Sequence, residues 1–199
     1  MIQETSNIAV LLLAAGASTR LGHPKQLILK NGQTLLEKEA QVALDSGAQP
    51  VVVVLGAYAA KIKPAIARLP LYILQNETWE SGMGSSIACG IQFLEKEFPE
   101  VEAVILMLCD QPFVQADTLT NLAKTWRETA HGIVASSYGD HFGPPALFER
   151  RFFPELLALQ GEKGAKAVLQ THLKELVLVP FPEGALDLDT PEDCAKWLG

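Results

Sequence analysis

Continuous apolar runs alternate with amphipathic segments along almost the whole chain. The runs at 8–13, 51–55 and 103–108 are rich in branched apolar side chains and lack polar alternation, which is typical of strands buried on both faces of a parallel sheet. Further strands are predicted at 71–74, 132–137 and 176–181, and helices at 33–47, 58–69, 85–98, 117–129, 148–159 and 163–172. This alternation predicts an α/β fold in which helices cover both faces of a mostly parallel central sheet.

The chain contains no internal repeat or linker, so residues 1–199 are interpreted as a single domain. The Gly- and Pro-rich stretch at 138–145 is predicted to be a loop within that domain. A last helix is predicted to begin at Thr190, because Thr190 can cap it, Pro191 suits the first helical position and Asp193 completes a capping box.

The composition and net charge exclude several classes of function and do not alter the fold prediction. Hydrophobic residues make up 48% of the chain and charged residues 20%, as in soluble globular proteins. The net charge of −7 argues against non-specific binding to nucleic acid or to anionic membranes. No apolar run approaches the roughly 20 residues of a membrane-spanning helix. The three cysteines lack the spacing of a zinc site or disulfide framework and the N-terminus lacks a secretory signal, so we expect reduced thiols and a cytoplasmic location.

The segment that follows the first apolar run is a candidate phosphate-binding loop. Small residues come first, then hydroxyl and cationic side chains: Ala14, Ala15, Gly16, Ala17, Ser18, Thr19, Arg20 and Lys25. Backbone amides and hydroxyls can cradle the oxygens of a polyphosphate, and fixed positive charge offsets its negative charge. The alternative is an ordinary loop with surface cations, and the two cations favour the phosphate hypothesis. Neither the Walker A spacing nor the G-x-G-x-x-G dinucleotide spacing occurs here.

Three aspartates are candidate site residues, and Asp110 among them is a candidate metal ligand. Asp110 directly follows the run at 103–108, and Pro112 prevents that strand from continuing. A carboxylate there can hold Mg²⁺, which usually binds through one or two carboxylates plus substrate phosphates; the alternative is a turn or helix-capping aspartate. Asp187 and Asp189 alternate across a short predicted strand and point to opposite faces, so only one is expected at the site. The alternative is that Asp189 only supports the cap at Thr190 and Asp187 is solvated.

The segment at 82–86 directly precedes a predicted helix. Its glycines permit a ligand to approach the backbone closely, and a helix N-terminus favours an anion or a carbonyl oxygen. A serine-capped helix with a flexible entry is the alternative interpretation.

The sequence LLLAAGASTRLGHPKQL at 11–27 closely resembles the motif of the nucleotidyltransferases that complete the molybdenum cofactor, and most of all their cytidylyltransferase branch. Five further segments extend the resemblance in the same order over nearly the whole chain: GMGSS at 82–86, CDQP at 109–112, GPPALF at 143–148, GEKGAK at 161–166 and DLDTPED at 187–193. The resemblance implies a three-layer α/β/α, Rossmann-like nucleotidyltransferase fold.

The resemblance also implies roles for individual residues. The implied nucleotide-binding residues are Leu13, Ala14, Ala15, Gly16, Ser18, Arg20, Lys25, Gly82, Gly84, Ser85 and Ser86. The implied ligands of Mg²⁺ are Asp110, Asp187 and Asp189, and the implied acceptor-binding residues are Gln111, Pro112, Gly143, Pro144 and Lys166. The N-terminal part would bind the nucleotide and residues at about 111–185 the acceptor. Lys166 stands where the family usually has Arg, which loses the planar fork that grips a phosphate.

The expected reaction is transfer of CMP or GMP from CTP or GTP to the phosphate of molybdopterin or the molybdenum cofactor, with release of pyrophosphate. Lys25, Arg20 and Asp110 would carry out catalysis, and Ala15 resembles the cytidylyltransferase form of the loop. A molybdoenzyme apoprotein is a possible partner. Two alternatives stay open: the same chemistry on another acceptor, such as a sugar 1-phosphate, and a carrier or insertion chaperone that binds the cofactor without turnover. The combination of Arg20, Lys25 and Asp110 argues against a carrier, which needs no triphosphate machinery.

Overall fold

The computed structural model describes residues 7–162 and 164–199, and in these residues a seven-stranded sheet lies between two layers of helices. Residues 1–6, where the sequence lacks a secretory signal, and Lys163 at the start of the predicted helix at 163–172 lie outside the described residues. The strands are β1 (Ile8–Ala14), β2 (Leu29–Lys30), β3 (Gln33–Thr34), β4 (Val51–Leu55), β5 (Tyr72–Gln75), β6 (Ala103–Leu108), β7 (Ile133–Tyr138), β8 (His141–Glu149) and β9 (Leu176–Pro180). The α-helices are α1 (Leu35–Asp45), α2 (Ala59–Ile62), α3 (Met83–Glu97), α4 (Ala116–Glu128), α5 (Phe153–Leu157), α6 (Lys166–Thr171) and α7 (Pro191–Leu198).

The sheet is mostly parallel. Its strands lie in the order β5-β4-β1-β6-β8-β7-β9, and β2 pairs with β3 in a separate short hairpin. Within the sheet, β8 runs antiparallel to both of its neighbours, and every other adjacent pair is parallel. The predicted α/β fold with a mostly parallel sheet is therefore confirmed. Because the parallel strands end at the same edge of the sheet, that edge is where a ligand is expected.

β1 is the centre of the core because helices cover both of its faces. Ile8, Val10 and Leu12 pack in one apolar cluster with the buried side chains of α1, α2, α4 and α7. Leu11 and Leu13 pack in a second cluster with those of α3, α5 and α6. Alternate residues of a strand point to opposite faces, so an all-apolar run requires cover on both. The predicted three-layer α/β/α architecture is thus confirmed. Within the described residues, the helices are too short or too polar to cross a membrane.

The Gly- and Pro-rich stretch at 138–145 forms part of a β-hairpin, so the prediction of a loop there is wrong. β7 and β8 stay paired as far as Tyr138 and His141, the residues that flank the turn. The register shifts within this pair, and Pro144 and Pro145 are the residues of β8 at the irregularity. Prolines cannot donate to a ladder and are tolerated at such bulges, so the local composition concealed a strand that pairing with β7 stabilises.

Several predicted helices are shorter than their apolar pattern. The prediction at 148–159 is wrong at its start, because Phe148 belongs to β8 and α5 begins at Phe153. Gln33 and Thr34 form β3, and Thr34 then caps α1 by accepting a hydrogen bond from the backbone amide of Glu37. The C-terminal prediction is confirmed in detail, since Thr190 caps α7 in a capping box.

α1 buries a carboxylate, Glu39, among apolar side chains. Its side chain is 0% exposed. Lys38 Nζ donates to Glu39 Oε1 at 2.6 Å, whereas Oε2 has no hydrogen-bond partner among the described residues. Burial raises the pKa of Glu39 to about 7; the charge of Lys38 and its hydrogen bond oppose this, and the charge of Asp110 adds to it. Glu39 is therefore only partly ionised near neutral pH.

We expect Glu39→Gln to change how stability depends on pH. The ordinary pKa of a glutamate is 4.5 and the folded value is about 7. Between these values the unfolded chain has released a proton that the folded chain retains, so the free energy of unfolding of the wild type falls as the pH rises. The full loss, reached above both values, corresponds to roughly 3 kcal/mol. Urea denaturation from pH 5 to pH 8 should show the variant gaining stability relative to the wild type; a constant difference would contradict the prediction.

Candidate active site

A cleft of about 440 Å³ lies beyond the carboxyl ends of β1 and β6. We call it the loop cleft, because the loop at 15–20 lines it. The N-terminus of α3 and the side chains of Asp110 and Asp189 also line it. Four segments that are far apart in the sequence therefore meet at the edge of the sheet where parallel strands end, which is the position expected for a ligand site.

The loop at 15–20 has a backbone that is available to a ligand. The amides of residues 15 to 19 donate to no backbone carbonyl within 7–162 and 164–199. Gly16 is exposed, and a Cβ built there would meet no atom within 4 Å. The hydroxyl of Ser18 accepts a hydrogen bond from the backbone amide of Lys25 at 3.1 Å. Successive unpaired amides of this kind form a concave site for an oxyanion.

Gln26, which was not among the predicted site residues, holds this loop through the carbonyl oxygens of its backbone. It is buried, and its Nε2 donates to the carbonyl oxygens of Ala14 at 2.9 Å and Gly16 at 3.0 Å. The C=O and the following N–H of a trans peptide point in opposite directions, so the amides of Ala15 and Ala17 point away from Gln26. The signal in the sequence was its position directly after the motif lysine.

Lys25 joins three segments electrostatically: its own, the one with Asp110 and the one with Asp189. Its Nζ lies 2.9 Å from Asp110 Oδ2 and 2.6 Å from Asp189 Oδ1, so it bridges two carboxylates that are 79 residues apart in the chain. Arg20 Nη1 lies 3.2 Å from the other oxygen of Asp189. The Lys25 side chain is 11% exposed and that of Arg20 is 70% exposed, so the two cations experience very different screening.

The environment of Lys25 keeps it charged. Burial alone lowers the pKa of its ammonium group, but the charges of Asp110 and Asp189 and their hydrogen bonds outweigh burial, so the pKa is raised. Two cations and two carboxylates make this cluster electrically neutral as a whole. In the described part of the chain, no group of three or more His, Cys, Asp or Glu side chains is arranged to hold a metal ion by itself.

The two C-terminal aspartates of the predicted metal set lie in different places. The segment at 186–189 is irregular, so the short strand predicted there is wrong; the backbone amide of Leu188 instead donates to the Asp110 carbonyl at 2.9 Å. Asp189 lines the loop cleft and Asp187 lines a neighbouring cleft. Desolvation, and then the charges of Asp110 and Asp189, raise the pKa of the Asp187 carboxyl to about 6.

The glycines of the segment at 82–86 serve close packing within the protein. A Cβ on Gly82, whose φ is +95°, would lie 2.4 Å from the backbone of Gly161, and a Cβ on Gly84 would lie 2.8 Å from the backbone of Leu159. The Ser85 hydroxyl donates to the carbonyl of Gly82 at 2.8 Å. These contacts fix the start of α3 against the segment at 159–162, so these glycines serve backbone packing. Close approach of a ligand at Gly82, which lines the loop cleft, stays a prediction.

Most of the predicted nucleotide-binding residues line the loop cleft. They are Leu13, Ala14, Ala15, Gly16, Ser18, Arg20, Lys25, Gly82 and Ser86. Gly84 and Ser85 do not line it. Met83, from the GMGSS motif, also lines the cleft, together with Trp79, Glu80 and Glu162. The last three were not predicted, because Trp79 and Glu80 belong to no motif and Glu162 belongs to a motif with another predicted role.

The predicted acceptor-binding residues line neither cleft and have other contacts. Buried Gln111 donates through Nε2 to the carbonyls of Pro144 at 3.1 Å and Gly184 at 3.3 Å. The carbonyl of Pro112 accepts from Lys38 Nζ at 2.8 Å. A Cβ on Gly143 would lie 2.3 Å from the Tyr138 hydroxyl, and Lys166 is exposed on α6.

A second cleft of about 740 Å³ adjoins the first, and we call it the C-terminal cleft. Arg20 and Asp189 line both clefts, so they stand at the boundary between them. Its other residues are Phe113, Pro182, Glu183, Ala185, Leu186, Asp187, Thr190, Asp193 and Lys196. Phe113 is 37% exposed, which leaves an aromatic surface accessible to a ligand.

Comparisons with known proteins agree on the domain type. A family model described as "MobA-like NTP transferase domain" matches residues 10–176. "Nicotine blue oxidoreductase" of Paenarthrobacter nicotinovorans is 31% identical over 197 residues, covering 94% of this chain and 95% of that protein. Purine catabolism protein PucB of Bacillus subtilis is 29% identical and covers 92% of each chain. A probable molybdenum cofactor guanylyltransferase of Nostoc is 28% identical, covering 96% of this chain and 90% of that protein.

Solved structures share the fold over nearly the whole chain. The crystal structure of Rv0371c from Mycobacterium tuberculosis matches with a TM-score of 0.83 and 29% identity, covering 98% of each chain. A crystal structure of Rv0371c in complex with manganese matches with a TM-score of 0.78 and 29% identity, covering 96% of this chain and 98% of that chain.

We expect Lys25→Met to destabilise the fold far more than Arg20→Met. Removal of Lys25 takes the cation from between two partly buried carboxylates and leaves Asp189 with only its exposed partner Arg20, at a cost of about 2 kcal/mol. Arg20 is largely exposed, so its ion pair is screened and its loss should cost less than about 1 kcal/mol. Urea denaturation of both variants at pH 7 measures the difference. Equal losses would show that the cluster does not join the three segments energetically.

Proposed function

Because the chain belongs to the MobA-like NTP transferase domain family and is a nucleotidyltransferase, we propose that it moves CMP or GMP from CTP or GTP to the phosphate of molybdopterin or the molybdenum cofactor. The family resemblance inferred from the motifs is thereby confirmed. The observation that carries the proposal is the run of unpaired amides at 15–19 beside Arg20 and Lys25 in the loop cleft. It supports binding of a polyphosphate at this edge of the sheet.

In this proposal, the triphosphate lies along the loop. The amides at 15–19 would bind its oxygens, with the N-terminus of α3 adding a favourable dipole. Arg20 is exposed, so it can leave Asp189 and contact the β- and γ-phosphates. Lys25 is held between Asp110 and Asp189 and would act on the phosphates nearest the reacting centre.

A divalent cation fits the residues of the cleft. The charge cluster is neutral, so it cannot offset the charge of a bound triphosphate without a further cation. Asp110 Oδ1 is buried and has no hydrogen-bond partner among the described residues, which leaves one hard oxygen ligand available. We propose that Asp110 and Asp189 hold Mg²⁺; a manganese complex of the relative Rv0371c supports a divalent ion. When bound, the ion would neutralise phosphate charge.

The transfer itself needs little acid–base chemistry from the protein. An acceptor phosphate monoester is largely dianionic near neutral pH, because its second pKa is about 6. One of its oxygens attacks the α-phosphorus, the bond from that phosphorus to the bridging oxygen breaks, and pyrophosphate leaves. Lys25 would stabilise charge on the reacting phosphates, and the loop and Arg20 would align them.

We propose that the acceptor lies in the C-terminal cleft. This cleft meets the loop cleft at Arg20 and Asp189, so an acceptor phosphate at that boundary would face the triphosphate. Phe113 offers a surface for a flat ring, and the carboxylates of Glu183 and Asp187 can accept hydrogen bonds from ring N–H groups. A pterin has a flat ring and ring N–H groups, so it matches both features of the cleft. The acceptor region would then extend beyond the predicted 111–185 to the start of α7.

The choice of nucleotide and the fate of the product belong to the same proposal. Ala15 supports CTP, because the loop with alanine at this position resembles the cytidylyltransferase form. We propose that the reaction takes place in the cytoplasm and that the product passes to a molybdoenzyme apoprotein.

Pyrophosphate release tests the proposal directly. Purified protein with Mg²⁺ and molybdopterin should release pyrophosphate with CTP. Asp110→Asn should lower the rate at least about 100-fold, because it removes the negative charge of a carboxylate proposed to hold Mg²⁺ beside the phosphates. Asp117→Asn, at an exposed position at the start of α4, is the matched control and should keep wild-type activity. Release with GTP alone would keep the reaction and overturn the choice of CTP.

The absence of pyrophosphate release with CTP, GTP, ATP and UTP would contradict the proposed transfer. Sugar 1-phosphates should be supplied in parallel, because turnover with them and not with molybdopterin would replace the acceptor. One relative is named an oxidoreductase, so consumption of NADH and NADPH should be followed in the same samples.

Phe113→Ala tests the position of the acceptor. If the ring of the acceptor contacts Phe113, the KM for molybdopterin should rise roughly tenfold, corresponding to a lost contact of about 1–1.5 kcal/mol. The KM for CTP should stay unchanged, because Phe113 does not line the loop cleft. A rise in the KM for CTP with an unchanged KM for the acceptor would place the acceptor elsewhere.

A further inference from the structure

We propose that Glu39 is a positioning residue for the transfer reaction: through Lys38, it holds the turn at 111–114, which directly follows Asp110 at the loop cleft. The inference rests on the proposed function, in which Asp110 acts on the phosphates and their cation. It concerns a buried carboxylate on α1 that lines neither cleft.

A short chain of contacts connects Glu39 to that turn. Glu39 Oε1 accepts a hydrogen bond from Lys38 Nζ at 2.6 Å, and the same Nζ donates to the carbonyl oxygen of Pro112 at 2.8 Å. Pro112 follows Asp110 by two residues. The turn closes with a hydrogen bond from the backbone amide of Val114 to the carbonyl of Gln111 at 3.2 Å. Lys38 is therefore a clamp between α1 and the turn.

The turn is held from two sides. On the side of the hairpin and the C-terminal segment, Gln111 donates to Pro144 and Gly184. On the side of α1, Lys38 provides the contact with Pro112, and Glu39 fixes the position of Lys38. Without Glu39, the flexible lysine side chain would be free to turn toward solvent, and the carbonyl of Pro112 would lose its partner on this side.

Stability alone does not account for a carboxylate at this position. The neighbouring buried residues of α1 are apolar: Leu35, Leu36, Ala40 and Ala43. Glu39 Oε2 has no hydrogen-bond partner among the described residues, so the group is desolvated without full compensation. Replacing a buried ion pair by apolar side chains is often neutral or stabilising. Glu39 therefore costs stability, yet through Lys38 it holds the turn that follows Asp110. This combination indicates a role in function and not in stability.

The charged and titratable groups around Glu39 come from two elements. Lys38 lies beside it on α1, and Asp110 and Cys109 follow the end of β6. The charge of Asp110 acts on Glu39, and burial followed by the charges of Glu39 and Asp110 raises the pKa of the Cys109 thiol. Lys38 is thus the cation that allows Glu39 to be ionised next to Asp110.

Four variants separate a positioning role from a structural one. Glu39→Met removes the clamp and fills the space, Glu39→Gln keeps an acceptor for Lys38, Lys38→Met removes the donor and Lys38→Arg keeps it. Glu37→Gln, which removes a charge from the less buried side of the same helix, is the control. The measurements are kcat and KM for pyrophosphate release, together with the midpoint of thermal unfolding.

We expect Glu39→Met to unfold at the same or a higher temperature than the wild type and yet to lose roughly tenfold in kcat, with the KM for CTP within about twofold, because a displaced Asp110 impairs alignment. Lys38→Met should lose kcat to a similar extent but unfold at a lower temperature, because it leaves the buried Glu39 carboxyl without its partner. Lys38→Arg should retain most of the activity, and Glu39→Gln should lie between. Wild-type kcat in Glu39→Met and Lys38→Met would overturn the inference. A loss of activity in Glu39→Met that is accompanied by a loss of stability would also overturn it.

Hydrogen exchange provides a readout that does not depend on turnover. The Val114 amide, which closes the turn, should exchange faster in Glu39→Met and Lys38→Met than in the wild type and Glu37→Gln. If the wild type releases no pyrophosphate, the proposed function fails, and the exchange rates still decide whether Glu39 holds the turn. Unchanged exchange at Val114 in both variants would overturn the inference by itself.

Discussion

The burial of β1 on both faces is the constraint on which the rest of the structure depends. An apolar strand in the middle of the sheet needs a parallel neighbour on each side and a layer of helices on each face, and β4, β6 and the two helix layers supply them. Parallel neighbours end at the same edge. The loop after β1 and the turn after β6 are therefore brought side by side, and the site follows from the topology of the sheet.

The polar groups near this edge are buried at a cost to stability. Lys25 bridges Asp110 and Asp189, Gln26 holds the loop carbonyls and Glu39 lies within an apolar helix face. A core made only of apolar residues would avoid these desolvation costs. Lys25 and Gln26 contact segments that line the loop cleft, whereas Glu39 acts through Lys38, which donates to the carbonyl of Pro112 in the turn after Asp110. The site is thus held rigid by buried polar contacts as well as by packing.

The relatives show why the family does not by itself decide the reaction. Proteins of similar length and about 30% identity carry names as different as an oxidoreductase, a purine catabolism protein and a molybdenum cofactor guanylyltransferase. Such a frame can host different activities when the residues at its open edge change. Here the unpaired amides, the Lys25 cluster and the adjoining C-terminal cleft support transfer of a nucleotide to a phosphorylated acceptor.

The sequence by itself determined the α/β class, the burial of the first strand on both faces and the small-residue loop that follows it, because apolar runs and small-residue loops are local patterns. The hairpin of β7 and β8 could not be predicted, because pairing with a neighbouring strand overrides a local composition rich in proline. The tertiary structure likewise decided the positions of Asp187 and Asp189, the packing role of Gly82 and Gly84 and the contacts of Gln26 and Lys38. Each depends on segments that are distant in the chain, and only the packed sheet brings these segments within hydrogen-bonding distance.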